Sequence, residues 1–175
     1  MKFSVTAITL LLSIYLLIPS PEFPLALPPE SLASDEPGDI KSPLVKAYFT
    51  DLSREQILAF HSQQFQRSQF INIKLPTLRL DDYPPEETSL RITDQIKSSF
   101  LEELVHPLRE SLFISGWEPK EDKDAIIVNN RRYKNKVTIK YYPSNTMARL
   151  MIGVGIAISI STIYTTGLNL FKSDS

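Results

Sequence analysis

The 175-residue chain has room for one compact domain rather than two, and its net charge of -1 gives no overall basic excess for nucleic acid. It has no cysteine, which excludes a disulfide framework, a thiol nucleophile, a thiolate metal site and a lipidated cysteine. Thirteen prolines stand against five glycines, too few glycines for a phosphate-cradling loop.

In chain order, Phe3–Ile18 is apolar, is preceded only by Met1 and Lys2, and ends at Pro19. This is the layout of a signal peptide. The small residues around Ile18-Pro19-Ser20 are followed by Pro21, a poor cleavage context, and Ser31-Leu32-Ala33 lies too far downstream. An uncleaved signal anchor over residues 1–19 is therefore expected. Residues 20–41 carry closely spaced prolines and the acids Glu22, Glu30, Asp35, Glu36 and Asp39, and read as a stiff acidic linker.

A folded domain is expected over residues 42–146, long enough for a small core. Ser53-Arg54-Glu55-Gln56 is a capping-box pattern, and Ile57, Leu58, His61 and Phe65 recur at helical spacing, so a helix from Ser53 to about Gln66 is predicted. Ile71, Ile73 and Leu75 alternate with Asn72 and Lys74, the period of a half-buried strand, with Leu78 and Leu80 extending its surface.

Residues 81–87 read as a turn into a long helix. Ile92, Ile96, Phe100 and Leu104 would form one row of it; Leu101, Val105, Leu108 and Leu112 would form another. Pro107 would kink that helix, and Gly116 would end it in the left-handed conformation. The runs 125–128 and 137–142 read as two paired strands joined by the polar stretch 129–136. The expected class is α+β: helices packed on an antiparallel sheet, ferredoxin-like or similar, flanked by two transmembrane helices.

The second apolar segment is Leu150–Phe171, twenty-two residues without a charge, bracketed by Arg149 and Lys172. About 20 apolar residues cross a bilayer, so a transmembrane helix is expected over residues 148–171, with a tail over 172–175. Its hydroxyls, Ser159, Ser161, Thr162, Thr165 and Thr166, can bond back to their own backbone. Gly153, Ala157 and Ser161 form a small-residue stripe suited to helix packing against the first span, a second copy or another membrane protein.

Lys2 before the first apolar segment and the acids after it place the termini in the cytoplasm and the domain outside the cytoplasmic membrane, in the cell envelope. The basic residues Arg131, Arg132, Lys134, Lys136, Lys140 and Arg149 pull the other way, but most lie inside a long folded loop, where the charge rule weakens. With Tyr133, Tyr141 and Tyr142 interleaved, Arg131 to Lys140 is a candidate contact for anionic lipid or an anionic polymer, or else a solvated strand edge.

Catalytic signals are incomplete. Glu103 and His106 have the Glu-x-x-His spacing of di-iron helices, yet the second half of such a site is missing; His61 is the only other histidine. Asp81-Asp82 reads as turn and cap, no Gly-x-Ser-x-Gly elbow exists, and Trp117 reads as a core anchor. The expected function is non-enzymatic binding or assembly at a membrane, with lipids and possible membrane-protein partners, no nucleic acid and no cofactor. One alternative is a membrane-bound metal-dependent hydrolase using His61, His106 and Glu103. The other is the same architecture with a cytoplasmic domain on anionic lipid.

Overall fold

The computed structural model describes residues 2–20, 23, 26–68, 72–84, 86–88 and 98–173. In chain order the elements are α1 (Lys2–Leu17), β1 (Leu32–Ala33), β2 (Val45–Thr50), α2 (Arg54–Phe65), β3 (Leu78–Tyr83), β4 (Phe100–Val105), β5 (Ser111–Trp117), β6 (Ile126–Val128), β7 (Arg131–Tyr133), β8 (Asn135–Tyr142) and α3 (Thr146–Ser173). They fall into two compact units: Ser20–Pro143, and Met1–Pro19 with Ser144–Ser175.

The larger unit is an α+β fold. Its antiparallel sheet has six strands in the order β1-β2-β8-β5-β4-β3, more than the four of a ferredoxin-like β-α-β-β-α-β fold. In β8, Val137, Ile139 and Tyr141 are buried while Lys136, Thr138 and Lys140 between them are not, the two-residue period of a strand covered on one face. On the same face lie Tyr48 of β2, Phe100 and Leu104 of β4, and Leu112 and Ile114 of β5. Helix α2 closes this layer with Ile57, His61 and Phe65, one residue per turn. Each large apolar side chain buried there contributes about 1.5–3 kcal/mol. A second cluster joins Phe49, Ile126 and Tyr133, with Leu32, Trp117 and Val128 packed on it.

The expected start of α2 is present in full: Ser53 Oγ accepts from the Gln56 N–H, and Gln56 Oε1 accepts from the Ser53 N–H at 2.8 Å. The stretch read as linker supplies β1, and the Phe23 ring stacks on Tyr141 at 5.4 Å.

Three expectations for this unit are corrected. Residues 100–112 do not continue a helix; β4 and β5 form an antiparallel hairpin. Pro107 is not a kink but the second residue of its turn: the Arg109 N–H bonds to the His106 carbonyl, and Leu108 takes a positive φ of 62°. The pattern is that of a type II turn. The other part of the expected long helix, with Ile92 and Ile96, lies outside the described residues.

Second, Ile73 and Leu75 do not lie in a strand, and Ile71 lies outside the described residues. The chain turns back on itself there, with Ser68 N–H to Ile73 carbonyl and Leu75 N–H to Gln66 carbonyl bonds and a positive φ at Asn72. The strand is β3, which takes in Asp81 and Asp82. Third, residues 126–128 pair with β7, not with β8. Asn129 and Asn130 both have positive φ, which suits the two-residue hairpin turn between them.

In the smaller unit, α1 and α3 pack on each other. Thr9, Leu12, Ser13 and Leu16 of α1, all of reduced exposure, share one stripe, as do Arg149, Gly153, Ile156, Ala157, Ile160 and Tyr164 of α3. Leu16 fits over Gly153, where an added Cβ would stand 2.8 Å from its Cδ1. Arg149 donates to the Ile18 carbonyl at 3.1 Å and to Thr146 Oγ1 at 2.9 Å.

Among the described residues one helix, Thr146–Gly167, is long and apolar enough to cross a membrane. The expectation of two spans is corrected. The apolar part of α1 is Thr6–Leu17, and at 1.5 Å per residue even all 16 residues of α1 reach only about 24 Å, short of the roughly 30 Å of hydrocarbon.

Candidate functional site

A polar cluster in the larger unit lies between α2 and edge strand β3. Arg54 is the first residue of α2, so the capping box at Ser53 sets where its side chain starts. It reaches across to β4, where Glu102 points into the core with no exposed surface. Arg54 Nε donates to Glu102 Oε1 at 2.8 Å, and Arg79 of β3 donates from Nε to Oε2 at 2.6 Å and from Nη2 to Oε1 at 2.7 Å.

A carboxylate buried this deeply needs opposite charge and full hydrogen bonding, and two guanidiniums supply both. The bond that Arg79 donates to Glu102 holds its guanidinium charged more firmly than in water, with Asp82 adding to it. Arg54 also lies over the Phe100 ring, 5.6 Å from its centre.

Outside this buried pair of contacts, both guanidiniums reach a second carboxylate. Arg54 Nη2 and Arg79 Nη2 each lie 2.5 Å from the same oxygen, Asp82 Oδ1. Asp82 is 57 % exposed, whereas the Glu102 side chain is fully enclosed. Arg54, Arg79 and Asp82 line a cleft of about 530 Å³, whose other walls are Glu55, Leu58, Ala59 and Ser62 of α2.

The two histidines lie in the core of the same unit. Tyr48 Oη and His61 Nε2 are 2.6 Å apart, and burial holds the imidazole pKa down to about 4, keeping the ring neutral. His106 stacks on Phe65 at 4.1 Å between ring centres and places Nδ1 2.8 Å from Glu110 Oε1. Burial alone would push the Glu110 carboxyl up. Hydrogen bonds from His106 and Ser20, with the Arg109 charge, outweigh that and bring it down to about 2.

The Glu103–His106 pair is not brought together. Residues three apart share a helix face, but in a strand they point to opposite sides. His106 continues the buried row of Glu102 and Leu104, whereas Glu103 sits on the other face opposite Asp81. Burial and the Asp81 carboxyl raise the Glu103 pKa. For the same reason Asp81 and Asp82 do not act as a pair: one meets Glu103, the other the two arginines. Among the described residues, no three histidine or acidic side chains come together to hold a metal ion.

The basic run is largely matched within the fold. Arg131 bonds Asp51 at 2.8 Å, Arg132 bonds Asp122 at 2.6 Å, and Lys134 lies 3.5 Å from Glu118. Lys136 reaches Glu36 at 2.7 Å and Asp39 at 2.8 Å, and Lys140 sits over the Tyr142 ring at 4.7 Å. Of the small-residue stripe, Gly153 and Ala157 belong to the face that packs on α1, while Ser161 is exposed. Trp117 closes β5 and packs on the second cluster, as a core anchor would.

Sequence reasoning missed the Arg54–Arg79–Glu102–Asp82 cluster entirely. Its members come from three elements up to 48 positions apart, and no spacing announces it. The one local hint is a charge, Glu102, at a position where the strand period demands an apolar residue. No family model matches this chain, no curated protein matches it, and no solved structure matches it.

Proposed function

We propose that the protein is a membrane-attached, non-enzymatic module in which α3 crosses the bilayer and the α+β unit carries a binding or assembly role on the outer side. The observation that carries this reading is the surface of α3. Only 6 % of its most apolar window is buried within the chain, and Met151, Val154, Ile158 and Ile163 are exposed. A helix that served as the core of a soluble fold would hide these side chains, while lipid is a favourable solvent for them. The exposed hydroxyls fit as well, since Ser159 and Thr162 bond back to carbonyls four residues earlier. Helix α1 would then ride along α3 through the Leu16–Gly153 contact rather than form a span of its own.

Two features support a binding role. Both histidines are committed to core contacts, and the Arg54–Arg79–Asp82 construction lines an open cleft. The carboxylate partners of Arg131, Arg132, Lys134 and Lys136 weaken these residues as a lipid-binding patch. Folded domains cross largely regardless of charge, so these basic residues do not oppose an outer placement. Alkaline carbonate extraction tests attachment: the protein is expected in the pellet, and recovery in the supernatant without detergent overturns the reading. Lys123→Cys, the sole thiol in the chain, tests the side. An impermeant maleimide is expected to label it in intact cells, and labelling only after lysis would place the unit in the cytoplasm.

A further inference from the structure

We infer that the cleft between α2 and β3 is a binding site for a small organic carboxylate monoanion, and that the side chain of Asp82 occupies the anion position when no ligand is bound. This rests on the binding role proposed above but not on membrane attachment.

The two carboxylates that Arg54 and Arg79 hold are not equivalent. Glu102 is enclosed, takes both Nε donors, and cannot leave without orphaning two charges. Asp82 stands at the cleft mouth, is 57 % exposed, and offers one oxygen to both Nη2 groups. Exposed ion pairs add little to stability, so this carboxylate exchanges at low cost. When it swings out, the two Nη2 groups remain fixed by Glu102 and converge on one point, the geometry a carboxylate oxygen needs.

The remaining walls indicate what the rest of the ligand is. Leu58 and Ala59 offer an apolar side and Ser62 a hydroxyl, and about 530 Å³ lies within the range of small-molecule clefts. Charge sets the valence. Two arginines balance Glu102 and Asp82, and Glu55 on the rim adds one more negative charge. Hydrogen bonds from the backbone and from Ser53 keep Glu55 ionised. A dianion such as a phosphate monoester meets this excess with about twice the repulsion that a monoanion does.

The test is an NMR titration of the arginine Nε–H resonances of the full chain in mild detergent. Hexanoate is the probe, with hexyl phosphate and hexylammonium in separate arms. Hexanoate is expected to shift the Arg54 and Arg79 signals saturably by about 20 mM, the weak end for so small a ligand. Asp82→Asn removes the internal competitor and should tighten Kd about fivefold. Ser62→Trp fills the cleft and should abolish the shifts with the fold intact by circular dichroism. An absence of saturable shifts in the wild-type chain overturns the proposal, whatever the variants do. So does an unchanged Kd in folded Asp82→Asn, or an equal response to hexyl phosphate or hexylammonium. None of these outcomes alters the carbonate-extraction result, so the two readings fail separately.

Discussion

At the scale of single residues, the protein places His61, Glu102, His106 and Glu110 in its core, each beside a polar partner. His61 makes the sharpest prediction. Its folded pKa is about 4, below the ordinary value of 6.5, so between these values the unfolded chain binds a proton that the folded chain refuses. Stability therefore falls as pH drops from 6.5 to 4, by up to about 3 kcal/mol. Glu110, held down to about 2, extends the loss at lower pH, as a carboxylate stabilised in the folded state must be protonated. Melting temperature against pH is expected to show this acid limb. His61→Leu should flatten its upper part, at a cost of about 1–3 kcal/mol at neutral pH because the Tyr48 hydroxyl loses its partner. Adding Tyr48→Phe should return part of that cost. The same residue types misled the sequence reading of β4. Its inward row is Phe100, Glu102, Leu104 and His106, two apolar and two polar, so alternation was hidden and the helical spacing of the leucines and valines dominated.

At the scale of elements, the β4–β5 hairpin shows how one small residue sets a local fold. Gly116 pairs with Phe100 across the two strands, and the Phe100 ring lies directly over it. No glycine here has a positive φ, so Gly116 is present for space rather than for a helix stop. A Cβ at that position would stand 2.0 Å from Phe100 Cζ. Gly116→Ala is expected to destabilise by about 1–3 kcal/mol in urea unfolding, and Phe100→Leu on top of it to recover part of the loss. Elements whose signals are short-range were legible. The capping box of α2 and the alternating core of β8 are examples. Strand β2 was not, because Ala47 to Thr50 are all buried and leave no period to read.

At the scale of the whole molecule, the chain falls into two compact units, and one of them holds the apolar helix α3. The larger has its own core on both sides of the sheet, with the main cluster under α2 and the second around Phe49 and Ile126. A fragment of residues 20–143 is therefore expected to unfold cooperatively without α1 and α3, followed by Trp117 fluorescence; a non-cooperative melt would show that the unit depends on the helices. What the amino-acid order determined by itself is what a local window can contain: the apolar run of α3, the capped start of α2 and the period of β8. What only the tertiary structure decided is which charges meet. Glu102 acquired two arginines from other elements, the basic run acquired its carboxylates, and Glu103 and His106 were parted by a strand. A buried charge is stable only beside its partner, and a partner tens of residues away leaves no mark on the local pattern.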